Sequence, residues 1–145
     1  MFEELERCFE ERKLRKTRPD FIKSKKSIES ARACLEEAEL DLKSGALRSA
    51  LVMAYASMFH AVRAVLYKDG VQEKSHYCMI RYVDEKYAKK GKFPLHLINA
   101  IEAFKEERHG ALYGFESDDV SEKEIKEAVG IAKEIISVCE GLIKE

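Results

Sequence analysis

The chain has 145 residues, of which 37% are charged, and its formal net charge is −1. This length predicts one domain around one hydrophobic core. The balanced charge excludes a global basic field for nucleic acid, although a local basic patch remains compatible with it. The sequence shows no signal peptide and no apolar run long enough to span a bilayer, so we expect a cytoplasmic protein.

The cysteines are too far apart for a common metal site. Four are spread along the chain, and none forms a CxxC or CxxH pair: Cys8, Cys34, Cys78 and Cys139. A structural zinc ion is therefore not expected, and no other metal or cofactor is predicted. Cys34 and Cys139 fall on apolar stripes and are predicted to be buried thiols.

Side-chain amides are scarce: Gln72 and Asn99 are the only two in the chain. Few amides beside abundant Lys, Arg and Glu are typical of a heat-adapted proteome. This feature concerns the source of the protein and leaves its function open.

The first 19 residues form a highly charged N-terminal extension, separate from the predicted domain at 20–145. Phe2, Leu5, Cys8 and Phe9 make a short apolar stripe within it. Such a stripe is compatible with a docking helix or with a mobile tail.

A long helical pair should follow. Ile28, Ala31 and Leu35 open a stripe of apolar residues at steps of three and four, which predicts a helix from about Asp20 to Ser44. The next helix, about 46–69, is apolar on most faces and should lie at the centre of a bundle. The tight link between the two predicts an antiparallel pair.

Three further helices complete the predicted fold. Ser75 should cap a helix that runs to about Lys89, and Pro94 should open the next, which stops near Tyr113. Ser121 and Glu124 form a capping box before the last helix. The sequence therefore predicts an all-α protein, an up-and-down antiparallel helical bundle of about five helices.

The histidines carry most of the remaining information about function. His60 lies in the middle of the central helix, where a buried, hydrogen-bonded histidine is the ordinary outcome. Arg63 is three residues further on, so the two can line a polar seam. His76 and His96 stand at helix starts and are predicted to be surface residues.

A second group of polar residues ends the fourth helix, in KEERHGALYGF. Arg108 can hold a phosphate bidentately, His109 can accept a proton from a ribose 2′-OH, and Tyr113 can stack on a base. These residues are our candidates for a small RNA or nucleotide site. A basic last turn that complements the helix dipole is the structural alternative.

These residues belong to a longer pattern. The segment SALVMAYASMFHAVRAVLYKDGVQEKSHYCMI, followed by RHGALYGF, resembles the HEPN family (higher eukaryotes and prokaryotes nucleotide-binding), most of all its small stand-alone prokaryotic branch. That branch has a signature similar to YyamFhaaRalL, then KSH, then R-x-x-A-x-Y, and the resemblance covers residues 21–143. It implies a helical bundle, frequent homodimers, and work beside a small nucleotidyltransferase in toxin–antitoxin-like pairs.

The same resemblance implies where a nuclease site would lie. Nuclease members carry Arg, four to six residues and then His, with the motifs of two protomers facing each other, and they cleave RNA without metal. The Arg corresponds to Arg108, but Tyr113, Gly114 and Phe115 occupy the positions where histidine would stand. In the family, a tyrosine two places beyond the histidine is a modification site. That position would fall at Phe115 here, so the resemblance does not extend to this modification site.

Three functions therefore remain open, and the sequence does not decide whether the protein is an enzyme. The first is a dimeric binding module for a nucleotidyltransferase partner, a nucleotide or RNA, and the second is a metal-independent RNase in which His109 or Tyr113 has a substitute role. The third is a helical scaffold without a ligand. For the homodimer, exposed apolar residues on helices 46–69 and 94–113 and the N-terminus are the expected surface.

Overall fold

The computed structural model describes the backbone of residues 2–113 and 120–145 and the side chains of residues 3–110 and 120–145. Within this part the chain forms six α-helices: α1 (Phe2–Glu10), α2 (Phe21–Lys43), α3 (Leu47–Asp69), α4 (His76–Lys86), α5 (Leu95–Tyr113) and α6 (Glu122–Ile143). Two short strands are also present: β1 (Leu14–Lys16) and β2 (Val71–Glu73). The predicted all-α bundle is confirmed, since helices make up most of the described residues.

Helices α2 and α3 pack side by side and run in opposite directions. Three buried serine hydroxyls donate hydrogen bonds across this interface: Ser24 to the carbonyl of Ala64, Ser27 to that of His60, and Ser57 to that of Ala31. Positions on α3 fall as those on α2 rise, which is an antiparallel register. The hydrogen bonds also satisfy polar groups that would otherwise be costly to bury.

Helix α3 is the centre of the bundle. It packs against α2, α5 and α6, and its buried face includes Leu51, Met58 and Leu66. By length and composition α3 could cross a membrane, contrary to the expectation from the sequence, but 67% of its most apolar window is buried inside the protein. The core helix of a soluble bundle can have the same length and composition.

Most helix boundaries follow the local signals. The side chains of Asp20, Ser75 and Ser121 accept hydrogen bonds from backbone amides of the first turns of α2, α4 and α6. Helix α4 ends at Lys86, before the predicted end at Lys89, because a 3₁₀ turn occupies the next residues. Helix α5 begins one residue after Pro94, close to its predicted start.

The two strands were not expected from the sequence. They pair antiparallel, with Leu14 opposite Glu73 and Lys16 opposite Val71. Three residues are too few to show a strand periodicity, so the pattern was invisible. The pairing fastens the N-terminal segment to the turn after α3. At that turn Gly70 has φ +75°, and a Cβ added there would lie 2.7 Å from the carbonyl oxygen of Thr17.

The N-terminal helix is docked on the bundle. Leu5 and Cys8 are 3% exposed, and Cys8 forms a disulfide with Cys78 in the first turn of α4. Cysteine spacing gave no sign of this pairing, because it depends on where α1 docks. Cys139 is a buried thiol, whereas Cys34 is only half-buried, so the prediction for Cys34 is corrected.

Large exposed apolar side chains are few in the described residues: Phe21, Ile22, Leu40, Tyr77 and Leu95. Only Leu95 lies on a helix from which we expected a dimer surface. Helix α3 contributes none, since its neighbours cover it. The expectation of exposed apolar residues on that helix is therefore wrong.

Candidate functional site

A concavity of about 480 Å³ lies between the start of α4 and the C-terminal half of α5. Its lining is polar: Ser75, His76, Tyr77, Lys105, Glu106, Arg108 and His109. Two helices supply these residues because the first turn of α4 faces the stretch of α5 that precedes Gly110. Basic side chains outnumber the single carboxylate, so the concavity favours an anionic ligand.

Arg108 occupies an unusual environment for a surface arginine. It is half-buried, and its guanidinium carbon lies 5.1 Å from the ring centroid of Tyr55 on α3, a cation–π distance. Its Nε is buried and has no hydrogen-bond partner among the described residues. A buried donor without a partner is costly in a folded protein, so this atom indicates a place where a ligand or a water molecule binds.

His76 lies beside Arg108 and is held by aromatic rings. Its Nδ1 lies 2.9 Å from the hydroxyl of Tyr55, and its ring stacks on Phe59 at a centroid distance of 4.1 Å. Burial, followed by the charges of Arg108, Lys105 and Arg63, lowers the pKa of His76 to about 4. The prediction of a surface histidine is corrected: His76 is half-buried, because the start of α4 packs on α3.

Tyr55 is buried beneath the concavity, with 1% of its surface exposed. Burial raises the pKa of Tyr55 to about 12, although the positive charge of Arg108 acts in the opposite direction. Its hydroxyl therefore keeps its proton at neutral pH.

His60 and Arg63, the candidate residues on α3, lie beside Phe59 and outside the concavity. Arg63 donates from Nε to Glu73 at 2.7 Å, and its guanidinium carbon lies 4.5 Å from the ring centroid of Phe59. His60 touches the edge of the same ring and is half-buried, and burial together with Arg63 lowers the pKa of His60. Neither residue lines the concavity, and both contact Phe59, whose ring stacks on His76.

Sequence reasoning found part of this site. Arg108 and His109 line the concavity together, while the side chain of Tyr113 lies outside the described residues. His96 is elsewhere: it is exposed, and its Nε2 lies 2.9 Å from Glu134 on α6.

Tyr55, Phe59 and His76 were missed as site residues. Tyr55 and Phe59 are four residues apart and fall on the apolar face of α3, where they are indistinguishable from core residues. Two signals were available: all three residues fall within the family signature quoted above, in YASMFH and KSH, and the hydroxyl of Tyr55 lies on an otherwise apolar face, where a buried hydroxyl requires a partner.

A larger cavity, of about 590 Å³, lies between α1 and the turn after α3. Leu5, Phe9 and Val71 supply much of its wall, and charges of both signs lie around it. This mixture does not select one kind of ligand. The smaller concavity at Arg108 is therefore the better candidate. Within the described residues no group of three His, Cys, Asp or Glu side chains could hold a metal ion.

The helical bundle agrees with what comparison of sequences shows. The chain matches the HEPN domain family over residues 24–142, which is most of its length, and it belongs to that family. Among individual proteins it is similar to the UPF0332 protein of Thermotoga maritima, with 29% identity over 115 residues. The alignment covers 79% of this chain and 86% of that relative.

Proposed function

We propose that this HEPN protein is a cytoplasmic binding module for RNA or a nucleotide, which it binds through a phosphate at the Arg108 concavity. In the same proposal it acts as a homodimer and as the partner of a small nucleotidyltransferase, in a toxin–antitoxin-like pair. Membership of the family supports the helical module, and the chemistry of the concavity supports a phosphate-bearing ligand.

The environment of Arg108 is the observation that carries the proposal. Its guanidinium lies half-buried over Tyr55, its Nε has no partner in the part of the chain that the structure describes, and Lys105 lines the same concavity. A guanidinium can donate two parallel hydrogen bonds to a phosphate, and such charge-assisted bonds are stronger than neutral ones. An arginine that only ended a helix would require no such enclosure.

Replacement of Arg108 tests the ligand site. We expect Arg108→Ala to weaken binding of a fluorescently labelled single-stranded RNA by about 1–3 kcal/mol, because one charge-assisted contact is lost. Affinity of the wild type should also fall with added salt. Fluorescence anisotropy measures both effects.

Arg18→Ala is the matched control, since it removes the same charge from an exposed residue that does not line the concavity. It should change affinity far less. Equal losses in the two variants would show only a general effect of charge, and the assignment of the site would then be wrong.

A metal-independent RNase is the second candidate, and one observation favours it: two histidines, His76 and His109, lie in the concavity with Arg108. We expect cleavage to be weak or absent, because no histidine stands at the family spacing from Arg108. RNA cleavage by the pure protein in EDTA, abolished by His109→Ala or Tyr113→Phe, would support the nuclease instead.

A further inference from the structure

We infer that Tyr55 fixes His76 as the neutral tautomer with its proton on Nε2, so that His76 donates a hydrogen bond to an oxygen of the ligand and cannot act as a base through that nitrogen. The role towards a ligand rests on the proposed function, whereas the tautomer is a property of the protein alone. Tyr55 is a positioning residue in this scheme, because it acts through His76.

The buried hydroxyl of Tyr55 decides the tautomer. Among the described residues its one hydrogen-bond partner is Nδ1 of His76, at 2.9 Å. A buried hydroxyl that did not donate would leave its proton unsatisfied, which is costly. The hydroxyl therefore donates and Nδ1 accepts. A neutral imidazole carries one N–H, so the proton of His76 is on Nε2.

Burial and nearby positive charges keep His76 neutral. Burial has the largest effect, followed by Arg108 and Lys105 on α5 and then Arg63 on α3, and together they hold the pKa of His76 near 4. Glu73 pairs with Arg63, and Glu106 lines the concavity with His109. Tyr55 stays protonated, since burial holds its pKa near 12.

The surroundings also fix the direction of the ring. Phe59 stacks on His76 with an interplanar angle of 30°, and the ring of Tyr55 lies 5.7 Å away at 27°. A ring held by a stack on one side and a hydrogen bond at Nδ1 has little freedom to flip. In histidine, the hydrogen bond made by one ring nitrogen sets the tautomer and therefore which state the other nitrogen presents.

The concavity is therefore rich in hydrogen-bond donors. Lys105 and Arg108 provide charged donors to the concavity, and His76 adds a neutral one with a fixed direction. The ligand class that suits this arrangement is an anion with several acceptor oxygens, and the phosphodiester of RNA or the phosphate of a nucleotide is such a group. Nε2 already carries a proton, so it cannot remove one from a ribose 2′-OH.

The tautomer is tested without any ligand. Long-range ¹H–¹⁵N correlation spectra of the histidine rings, recorded from pH 8 to pH 5, should show His76 protonated on Nε2 and unchanged over this range. Tyr55→Phe keeps the aromatic ring and removes the donor, so in that variant the preference for Nε2 should weaken. A proton on Nδ1 in the wild type, or a transition of His76 between pH 6 and 7, would overturn the inference.

The donor role is tested with the labelled single-stranded RNA at pH 7. Removal of a neutral hydrogen bond should weaken binding about three- to tenfold in His76→Ala, and His76→Gln, which retains an N–H donor, should recover part of the loss. Wild-type affinity in His76→Ala would disprove the donor role.

The two proposals fail in different ways. Absence of RNA binding by the wild type would reject RNA as the ligand of the proposed function, and the ring spectra would still decide the tautomer. RNA binding with His76 in the other tautomer would retain the function and reject the inference.

Discussion

Gly70 shows how one residue joins two parts of the chain. It ends α3 with a φ of +75°, and its carbonyl oxygen accepts a hydrogen bond from the amide of Thr17 at 2.7 Å. Backbone atoms of Thr17 and Pro19 lie within 3 Å of the place where a Cβ would stand. Backbone cannot move aside as a flexible side chain does, so the position requires glycine for two separate reasons.

We therefore expect Gly70→Ala to lower the free energy of unfolding by about 2–5 kcal/mol, from left-handed strain and steric overlap together. Gly45→Ala is the matched control, because Gly45 has a φ of +82° with nothing within 4 Å of the added Cβ. It should cost about 1–2 kcal/mol. Denaturation in urea measures both variants, and equal losses would contradict a close approach at Gly70.

His76 should make stability depend on pH. Its folded pKa, about 4, lies below the usual value for histidine, so the unfolded chain binds the proton more readily. The stabilisation is present above about pH 6.5, the ordinary histidine pKa, and is lost as the pH falls towards 4. The free-energy advantage of wild type over His76→Gln should therefore shrink between pH 7.5 and pH 5. An advantage that grew on acidification would contradict the burial of a neutral ring.

At the scale of elements, helix ends were predictable and the docking of the N-terminus was not. Asp20, Ser75 and Ser121 cap helices through contacts within three residues, which a short sequence window contains. Helix α1 and strand β1 are held by partners more than 50 residues away. A short sequence window around Leu14 does not contain Glu73, its partner in the sheet.

The disulfide between Cys8 and Cys78 closes a loop with a sequence separation of 70. Cys8→Ser should lower the free energy of unfolding by about 2–4 kcal/mol, since the unfolded chain loses a long-range restraint. Cys34→Ser, at a half-buried free cysteine, is the control and should have a smaller effect. Alkylation with mass spectrometry, before and after reduction with a dithiol, verifies the pairing. Four alkylated cysteines in the unfolded, unreduced protein would contradict it.

At the scale of the whole molecule, we expect a homodimer in which the two Arg108 concavities lie close together. Sedimentation velocity at micromolar concentration should give about twice the mass of 16.7 kDa. In a Cys34→Ser background, His109→Cys should crosslink between protomers with a short bis-maleimide, while Ser30→Cys on α2 should not. A monomer throughout, or equal crosslinking at both positions, would contradict this arrangement.

The sequence by itself determined the all-α class and the five long helices, and it singled out the segment around Arg108 as the candidate site. Helical periodicity and caps are local, so residues three or four apart encode them. Only the tertiary structure decided that His76 and Tyr55 lie beside Arg108, that Cys8 meets Cys78, and that a strand pair fastens the N-terminus. These contacts join distant parts of the chain, and they depend on which helix faces pack together, which local periodicity does not specify.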